Sequence, residues 1–333
     1  MELDHKEINE ILERYDIGAL VDFEKMKEGI SNQNWIITTR KGKFVLKCIA
    51  KDRRIEELLF EHAFIKHISN SNINYKFPFP LLTMNQETIF KLKGRYAWLY
   101  EFIEGTIPGN LNQKKTKQLA KLIAELHKIS RSAPTIYQKD WGNPFQTGWL
   151  IEGMKVLKTR VRKKSEHDAR LQYFYEHVDT CIEVLENNVL KGYETLQKFP
   201  IHCDWNLENI IFNDDILVGL IDFDNSRFDT AIRDITIFLQ FLCADNLVPN
   251  QLDFKKVNDF LQEYNKYQIL TKQELQYFPF IANYEFADYF WHLADVLQRD
   301  PKVKYTIHYM EFAFKGMYWH YKNAEKIVKS ISI

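Results

Sequence analysis

One stretch constrains the fold of this chain more than any other. Ile201-His202-Cys203-Asp204-Trp205-Asn206-Leu207-Glu208-Asn209 runs into Ile210-Ile211-Phe212, the turn residues Asn213-Asp214-Asp215, the apolar run Ile216 to Ile221, and then Asp222-Phe223-Asp224. Two short runs rich in β-branched residues around a polar turn predict a β-hairpin. A hairpin returns the chain on itself, so Asn209 before its first strand and Asp222 after its second are brought together, with Asp204 five residues upstream of Asn209.

The rest of the chain divides by character. Trp35 to Thr39 and Lys43 to Ile49 read as strands about the turn Arg40-Lys41-Gly42, and Thr88 to Leu92 and Tyr96 to Tyr100 as two more about Lys93-Gly94-Arg95. Between them, Leu58, Leu59, Ala63, Ile65 and Ile68 recur at near-helical spacing from Ile55 to Ile68. After Glu104-Gly105-Thr106-Ile107-Pro108-Gly109 the strand pattern breaks and amphipathic helical segments take over: Thr116 to Ser130, much of Gly148 to Val189, and most of the chain from Phe254 onward. The expectation is an α+β, two-lobed chain. Residues 1–101 form a small antiparallel sheet with one helix, and residues 102–333 a larger, mainly helical lobe.

Composition narrows the function classes. The 333 residues suffice for two cores, and 45 basic against 45 acidic residues leave no electrostatic footprint for a nucleic-acid partner. Cys48, Cys181, Cys203 and Cys243 lack CxxC spacing and read as reduced thiols. The charged start, Met1 to Glu7, and the absence of a long apolar run predict a cytoplasmic protein with no membrane partner.

The residue types around the hairpin suit one chemistry in particular. Phosphoryl transfer needs an acceptor hydroxyl held in line and partly deprotonated, and cations that neutralise the transferring phosphate. Asp204 can take the hydroxyl proton, while the Asn209 amide oxygen and the Asp222 carboxylate are hard donors suited to Mg2+. HxD, an Asn five positions after the Asp, and DFD across a hairpin match the spacing of protein-kinase catalytic and metal motifs. A metal-dependent hydrolase with His202, Asp204, Asp222 and Asp224 as ligands is an alternative of a different class.

On these motifs the chain resembles the aminoglycoside phosphotransferase superfamily, which includes choline kinases, type II homoserine kinases, methylthioribose kinases and kinase-like spore-coat proteins. Gly29 to Trp35 followed by Phe44-Val45-Leu46-Lys47 is similar to its nucleotide-covering hairpin, and Glu101-Phe102-Ile103-Glu104-Gly105 to its hinge. The resemblance implies a protein-kinase-like fold, ATP and Mg2+ as cofactors, and transfer of the γ-phosphate to a hydroxyl of a small molecule. It implies Asp204 as catalytic base, Asn209 and Asp222 as metal ligands, and Lys47 on the α/β-phosphates. Glu61, chosen over Glu57 one helical turn away, is the expected partner of Lys47. Ser31 is expected to cap phosphate oxygens, and the main chain at Glu101 and Ile103 to bind adenine. The family's Asp at the position of Asp234 bonds back to the catalytic loop. A non-catalytic, spore-coat-like binding protein is the alternative within this fold.

Few residues separate Asp224 from Arg233-Asp234, and no Ala-Pro-Glu follows, so there is no room for the activation segment that presents a peptide. A small hydroxylated acceptor is the expectation. Glu285, Asp288, His292 and Asp295 fall on one helical stripe beside Tyr289 and Trp291, a pattern suited to an amine-bearing molecule or to a plain solvated face. Trp205 either packs under its loop or lines the acceptor site. Asp224 is a second-metal ligand, a substrate contact or a turn carboxylate. The basic run from Lys155 to Arg170 reads as a solvated face.

Overall fold

The computed structural model describes residues 2–26, 32–51, 53–133, 146–188, 191–245 and 250–331. The chain forms two compact units. One comprises Met1–Asn110, Ile129–Lys139 and Leu207–Arg227; the other comprises Leu111–Lys128, Asp140–Asn206 and Phe228–Ile333.

The first unit is built on β1 (Leu20–Lys25), β2 (Gln33–Thr39), β3 (Gly42–Cys48), β4 (Phe90–Leu92) and β5 (Arg95–Glu101). They form one antiparallel sheet in the order β1-β2-β3-β5-β4. Alternation along each strand assigns the faces. Phe44, Leu46 and Cys48 of β3, with Ala97 and Leu99 of β5, join one core with Ile8, Ile11 and Leu12 of α1 (His5–Leu12). Lys47 and its register partner Trp98 therefore point to the opposite face. There α2 (Ile55–Ser69) packs, with the His62 ring edge-on to Trp98 at 4.6 Å.

The structure adds α1 and β1 to the elements expected from the sequence. Asp4 and Glu7 close a capping box on α1, with Glu7 N–H donating to Asp4 Oδ1 at 2.8 Å and Asp4 N–H to Glu7 Oε2 at 3.0 Å. In β1 charged residues alternate with apolar ones on an edge strand that is nowhere fully buried.

The second unit holds most of the helices: α3 (Gln113–Ser130), α4 (Gly148–Val161), α5 (Ala169–Glu186), α6 (Ala231–Leu242), α7 (Phe254–Tyr264), α8 (Lys272–Gln276), α9 (Phe278–Arg299), α10 (Ile307–Lys322) and α11 (Ala324–Ser330). The apolar faces of α4, α5, α9 and α10 share a core that includes Met154, Phe174, Phe290 and Met317. Full burial of side chains of this size stabilises by roughly 1.5–3 kcal/mol each. Arg170 fixes the chain between α9 and α10: it pairs with Asp168 and donates to the carbonyls of Pro301, Val303 and Tyr305. In the same basic run Lys158 pairs with Asp179 at 2.5 Å. Among the described residues, no helix is long and apolar enough to cross a membrane.

Candidate active site

Lys47 is the centre of the first unit's polar cluster. Its ammonium is buried and lies 2.6 Å from Asp224 Oδ1, 3.0 Å from Asp222 Oδ1 and 3.6 Å from Glu61 Oε1. Burial works against its charge, but Asp222, Asp224 and Glu61 outweigh that and raise its pKa well above the usual lysine value. Of the two glutamates one turn apart on α2, Glu61 is the one at ion-pair distance from Lys47, while Glu57 pairs with Arg53 at 2.7 Å and Arg54 at 3.3 Å.

Asp224 is buried and held by several groups. Lys47 and the Asn32 amide donate to its carboxylate, and Arg53 donates to its carbonyl at 3.1 Å. Burial would raise its carboxyl pKa; Lys47 and then Arg53 reverse this and hold it down at about 2. Asp222 differs, with 41 % of its side chain accessible. Its φ of +61° is a left-handed conformation uncommon for a non-glycine residue, of the kind that surrounding structure must impose. Phe223 supplies that anchor, fully buried against Phe64 at 5.6 Å and Phe77 at 6.1 Å.

The predicted hairpin is β7 (Ile210–Asn213) and β8 (Ile216–Leu220), registered Ile210 to Leu220. Ile221 N–H donates to Asn209 O at 2.9 Å, which closes the open end and sets Asn209 and Asp222 beside each other along the backbone. Two glycines let other chain segments approach the hairpin. A Cβ on Gly105 would meet Ile211 Cγ2 at 2.5 Å and Phe212 O at 2.6 Å, where Thr106 and Phe212 exchange hydrogen bonds of 2.7 and 2.9 Å. A Cβ on Gly219 would collide with the Lys76 carbonyl oxygen. Glu101 closes β5, exposed, and Ile103 is buried two residues on. Ser31 lies outside the described residues.

The second unit carries Asp204. β6 (Phe199–Ile201) leads into its loop, and Cys203 adopts φ +62°. Asp234 on α6 grips this turn: Oδ1 accepts from Cys203 N–H at 2.6 Å and Oδ2 from His202 N–H at 3.2 Å. Asp204 N–H donates to His202 Nδ1 at 3.2 Å, and the Asn206 amide donates to Asp204 Oδ1 at 2.6 Å.

Two residues expected at the acceptor are engaged elsewhere. Trp205 is 1 % exposed, its ring centroid 5.1 Å from that of His202, so it packs under the loop and does not line an open site. Glu285 accepts from Arg233 Nε at 2.8 Å and lies 2.7 Å from its Nη2, so its carboxylate serves an internal ion pair. Arg233, buried, also reaches Asp229 Oδ2 at 2.8 Å, and Asp229 accepts from Tyr193 at 2.7 Å. β9 (Arg227–Asp229) ends on that aspartate. Asp224, weighed in three roles, has its carboxylate engaged by Lys47 and Asn32. Asp288 and Tyr289 remain half-buried and His292 exposed on α9. Asp295 pairs with Arg299 at 2.6 Å. Arg53, Arg233 and Tyr193 were not singled out as contributors by sequence reasoning; only Arg233, beside Asp234, carried a signal.

The donor set fits Mg2+. Three carboxylates around one ammonium leave a local excess of negative charge, the accessible one is Asp222, and the neighbouring Asn209 is a hard oxygen donor. Among the described residues, no group of three or more His, Cys, Asp and Glu forms a metal cage, so the hydrolase alternative has no ligand set there. A one- or two-ligand site completed by phosphate oxygens is the arrangement Mg2+ favours.

The fold is shared with known kinases. A spectinomycin phosphotransferase, APH(9)-Ia, crystallised with ADP and spectinomycin, superposes with a TM-score of 0.71 at 15 % identity over 98 % of this chain and 100 % of that one. A microcompartment-associated aminopropanol kinase gives 0.65 at 15 % identity, covering 98 % of each. The profile of the APH phosphotransferase enzyme family matches residues 22–269, and the chain belongs to that family. In sequence it is 25 % identical to the homoserine kinase of Bradyrhizobium sp. over 278 residues, 83 % of this chain and 79 % of the relative. The homoserine kinase of Agrobacterium fabrum is 25 % identical over 276 residues, 83 % of this chain and 80 % of that one.

Proposed function

We propose that this protein is an ATP-dependent, Mg2+-requiring small-molecule kinase whose acceptor is an amine-bearing alcohol of the homoserine type. The observation that carries the reaction class is the Lys47–Glu61 pair standing beside the Asp222 carboxylate, next along the backbone to Asn209. Similarity to homoserine kinases over 83 % of the chain supports the acceptor class.

In this reading Lys47 exchanges its contacts with Asp222 and Asp224 for the α/β-phosphates, oriented from behind by Glu61. Asn209 and Asp222 would hold Mg2+, which neutralises phosphate charge when bound. Ser31 and the main chain at Glu101 and Ile103 are assigned to the nucleotide. The acceptor oxygen attacks the γ-phosphorus as the bond to the β,γ-bridging oxygen breaks, ADP leaves, and the hydroxyl proton passes to Asp204. Asp288, Tyr289 and His292 remain the candidates for the acceptor's amine end.

The test is ADP release by the purified protein with MgATP across a panel of amino alcohols, sugars and aminoglycosides. Asp204→Ala is expected to lower kcat by roughly 10²–10⁴-fold while leaving nucleotide affinity nearly intact. Asp222→Ala is expected to weaken MgATP binding itself. Nucleotide binding without turnover of any acceptor would overturn the assignment and favour a non-catalytic binding protein.

A further inference from the structure

We propose that Arg53, seated by Glu57, is a positioning residue for the Asp222 carboxylate: it ties the backbone just after Asp222 to the start of α2 through the carbonyl of Asp224. The inference deepens the kinase reading, since it rests on Asp222 being a Mg2+ ligand.

The two glutamates one turn apart on α2 serve two different cations. Glu61 stands 3.6 Å from the Lys47 ammonium, and Glu57 Oε2 stands 2.7 Å from Arg53 Nε. Glu57 is buried, and its other oxygen accepts from Arg54 Nε at 3.3 Å. The guanidinium is a rigid planar fork, so a carboxylate that places Nε also sets where the other nitrogens point. Arg53 Nη2 donates to Asp224 O at 3.1 Å. Lys47 and Arg53 therefore meet on one residue, the lysine at its carboxylate and the arginine at its carbonyl.

That difference gives the two contacts different lifetimes. In the proposed reaction Lys47 leaves Asp224 for the phosphates, whereas the Arg53 contact uses neither the ammonium nor the Asp224 carboxylate and survives the exchange. The stretch from Asp222 to Asp224 is then gripped at two points: the Phe64 ring of α2 packs on Phe223 at 5.6 Å, and Arg53, just ahead of α2, bonds the Asp224 carbonyl. A ring contact sets where the backbone passes; the second attachment sets the direction in which it leaves. Asp222, at φ +61°, needs both, because its surroundings must impose that conformation. Ser226 N–H donates to Phe223 O at 2.9 Å and Arg227 Nε to Asn225 O at 3.1 Å, but these bonds lie within the turn and move with it. Mg2+ demands near-ideal octahedral geometry, so a tilted Asp222 weakens the metal before it weakens the nucleotide's other contacts. The charge of Arg53 acts in the opposite sense. A neighbouring cation repels Mg2+, so an arginine that served only as a charge would, on removal, leave the metal bound more tightly.

The experiment compares Arg53→Met, Arg53→Lys and Glu57→Gln in the full-length protein with no acceptor present. Calorimetry reads ATP affinity without divalent cation and the Mg2+ concentration that half-saturates the protein–ATP complex; hydrogen exchange reads the Ser226 amide, which closes the turn. Arg53→Met is expected to raise the half-saturating Mg2+ concentration about 10–100-fold, the range seen when a residue supporting a metal ligand is lost, with cation-free ATP affinity within about threefold and faster Ser226 exchange. Arg53→Lys, which keeps a donor of similar reach, should recover most of the loss. Glu57→Gln, which leaves Arg53 in place on a weaker seat, should raise the Mg2+ requirement a few-fold. An unchanged or lowered Mg2+ requirement in Arg53→Met would overturn the proposal. So would equal losses in the Met and Lys variants with cation-free ATP affinity falling in step, the mark of a merely structural residue. If Arg53→Met does not fold, Glu57→Gln decides by the same two readouts. If the wild-type protein binds no ATP with or without Mg2+, the kinase reading fails, and Ser226 exchange still decides whether Arg53 holds the turn.

Discussion

Lys47 donates to Asp224 at 2.6 Å, closer than it stands to Glu61 at 3.6 Å. The acid that follows Phe223 is therefore the nearest partner of the lysine, and the helix glutamate stands behind it. Lys47→Met would leave the buried carboxylates of Glu61 and Asp224 short of their common counter-charge. Removing one partner of a buried ion pair costs about 3–5 kcal/mol, and a loss of that order is expected in urea unfolding. Adding Asp224→Asn should return part of it, because the second change removes a charge that the first left uncompensated. A double variant no more stable than Lys47→Met would show that Asp224 does not depend on Lys47.

Gly105→Ala tests how the segment after β5 is fastened to the hairpin. The new methyl would meet backbone and side chain at 2.5–2.6 Å, and the φ of +147° is one that L-residues rarely adopt. The Thr106–Phe212 hydrogen bonds must lengthen to admit it. Overpacking of this kind costs typically about 1–3 kcal/mol, read as a lowered Tm. Gly109→Ala, where no atom lies within 4 Å of the added Cβ, is the control and should leave Tm almost unchanged.

What the sequence disclosed, and what it hid, follows from locality. The hairpin β7–β8 and the strands β2, β3 and β5 were legible because their β-branched runs and turn residues are contiguous. Edge strand β1 was not, because its charges mask the alternation, although the Asp4–Glu7 box of α1 was a local signal that could have been used. At the site, the types at 204, 209 and 222 announce their chemistry by spacing. The side chains that hold them do not. Arg53 and Arg233 lie 171 and 52 positions from a partner they contact, and no pattern of period 2 or 3.6 links such pairs. The acidic stripe on α9 misled for the same reason: Glu285 shares a helical face with Asp288, but a residue on α6 claims its carboxylate.

That claim makes a sharp prediction for Glu285. Glu285→Ala takes one carboxylate partner from Arg233, which is 2 % accessible at its side chain and also pairs with Asp229. Urea unfolding should show a loss of about 3–5 kcal/mol. An acceptor-binding role would instead raise the acceptor KM at unchanged stability. Finding that second pattern would sink the internal ion pair as the function of Glu285.

The pH dependence of stability should be set between neutrality and pH 4 by two buried histidines. Burial pushes His320 down to about 4 and His62 down to about 3, the latter with Lys47 acting in the same direction. His320 Nδ1–H donates to the Gly316 carbonyl at 2.8 Å, which works against the effect of burial without cancelling it. His62 Nδ1 lies 2.9 Å from the Thr88 hydroxyl. In the unfolded chain both titrate near about 6.5. Below that pH the unfolded state binds protons that the native state refuses, so stability rises with pH and falls on acidification. It should be full above about pH 7 and decline by up to about 1.4 kcal/mol per pH unit for each histidine as pH falls from about 6.5. The His320 contribution levels off near pH 4 and the His62 contribution near pH 3. Asp224, held low, adds its own loss only as pH falls from about 4 toward 2, outside that window. Urea unfolding at pH 7.5, 6 and 5 reads the slope, and His320→Gln, which keeps polar groups in the cavity but cannot take up a proton, should flatten it. Equal slopes in the wild-type and His320→Gln proteins would remove His320 as a source of the acid sensitivity.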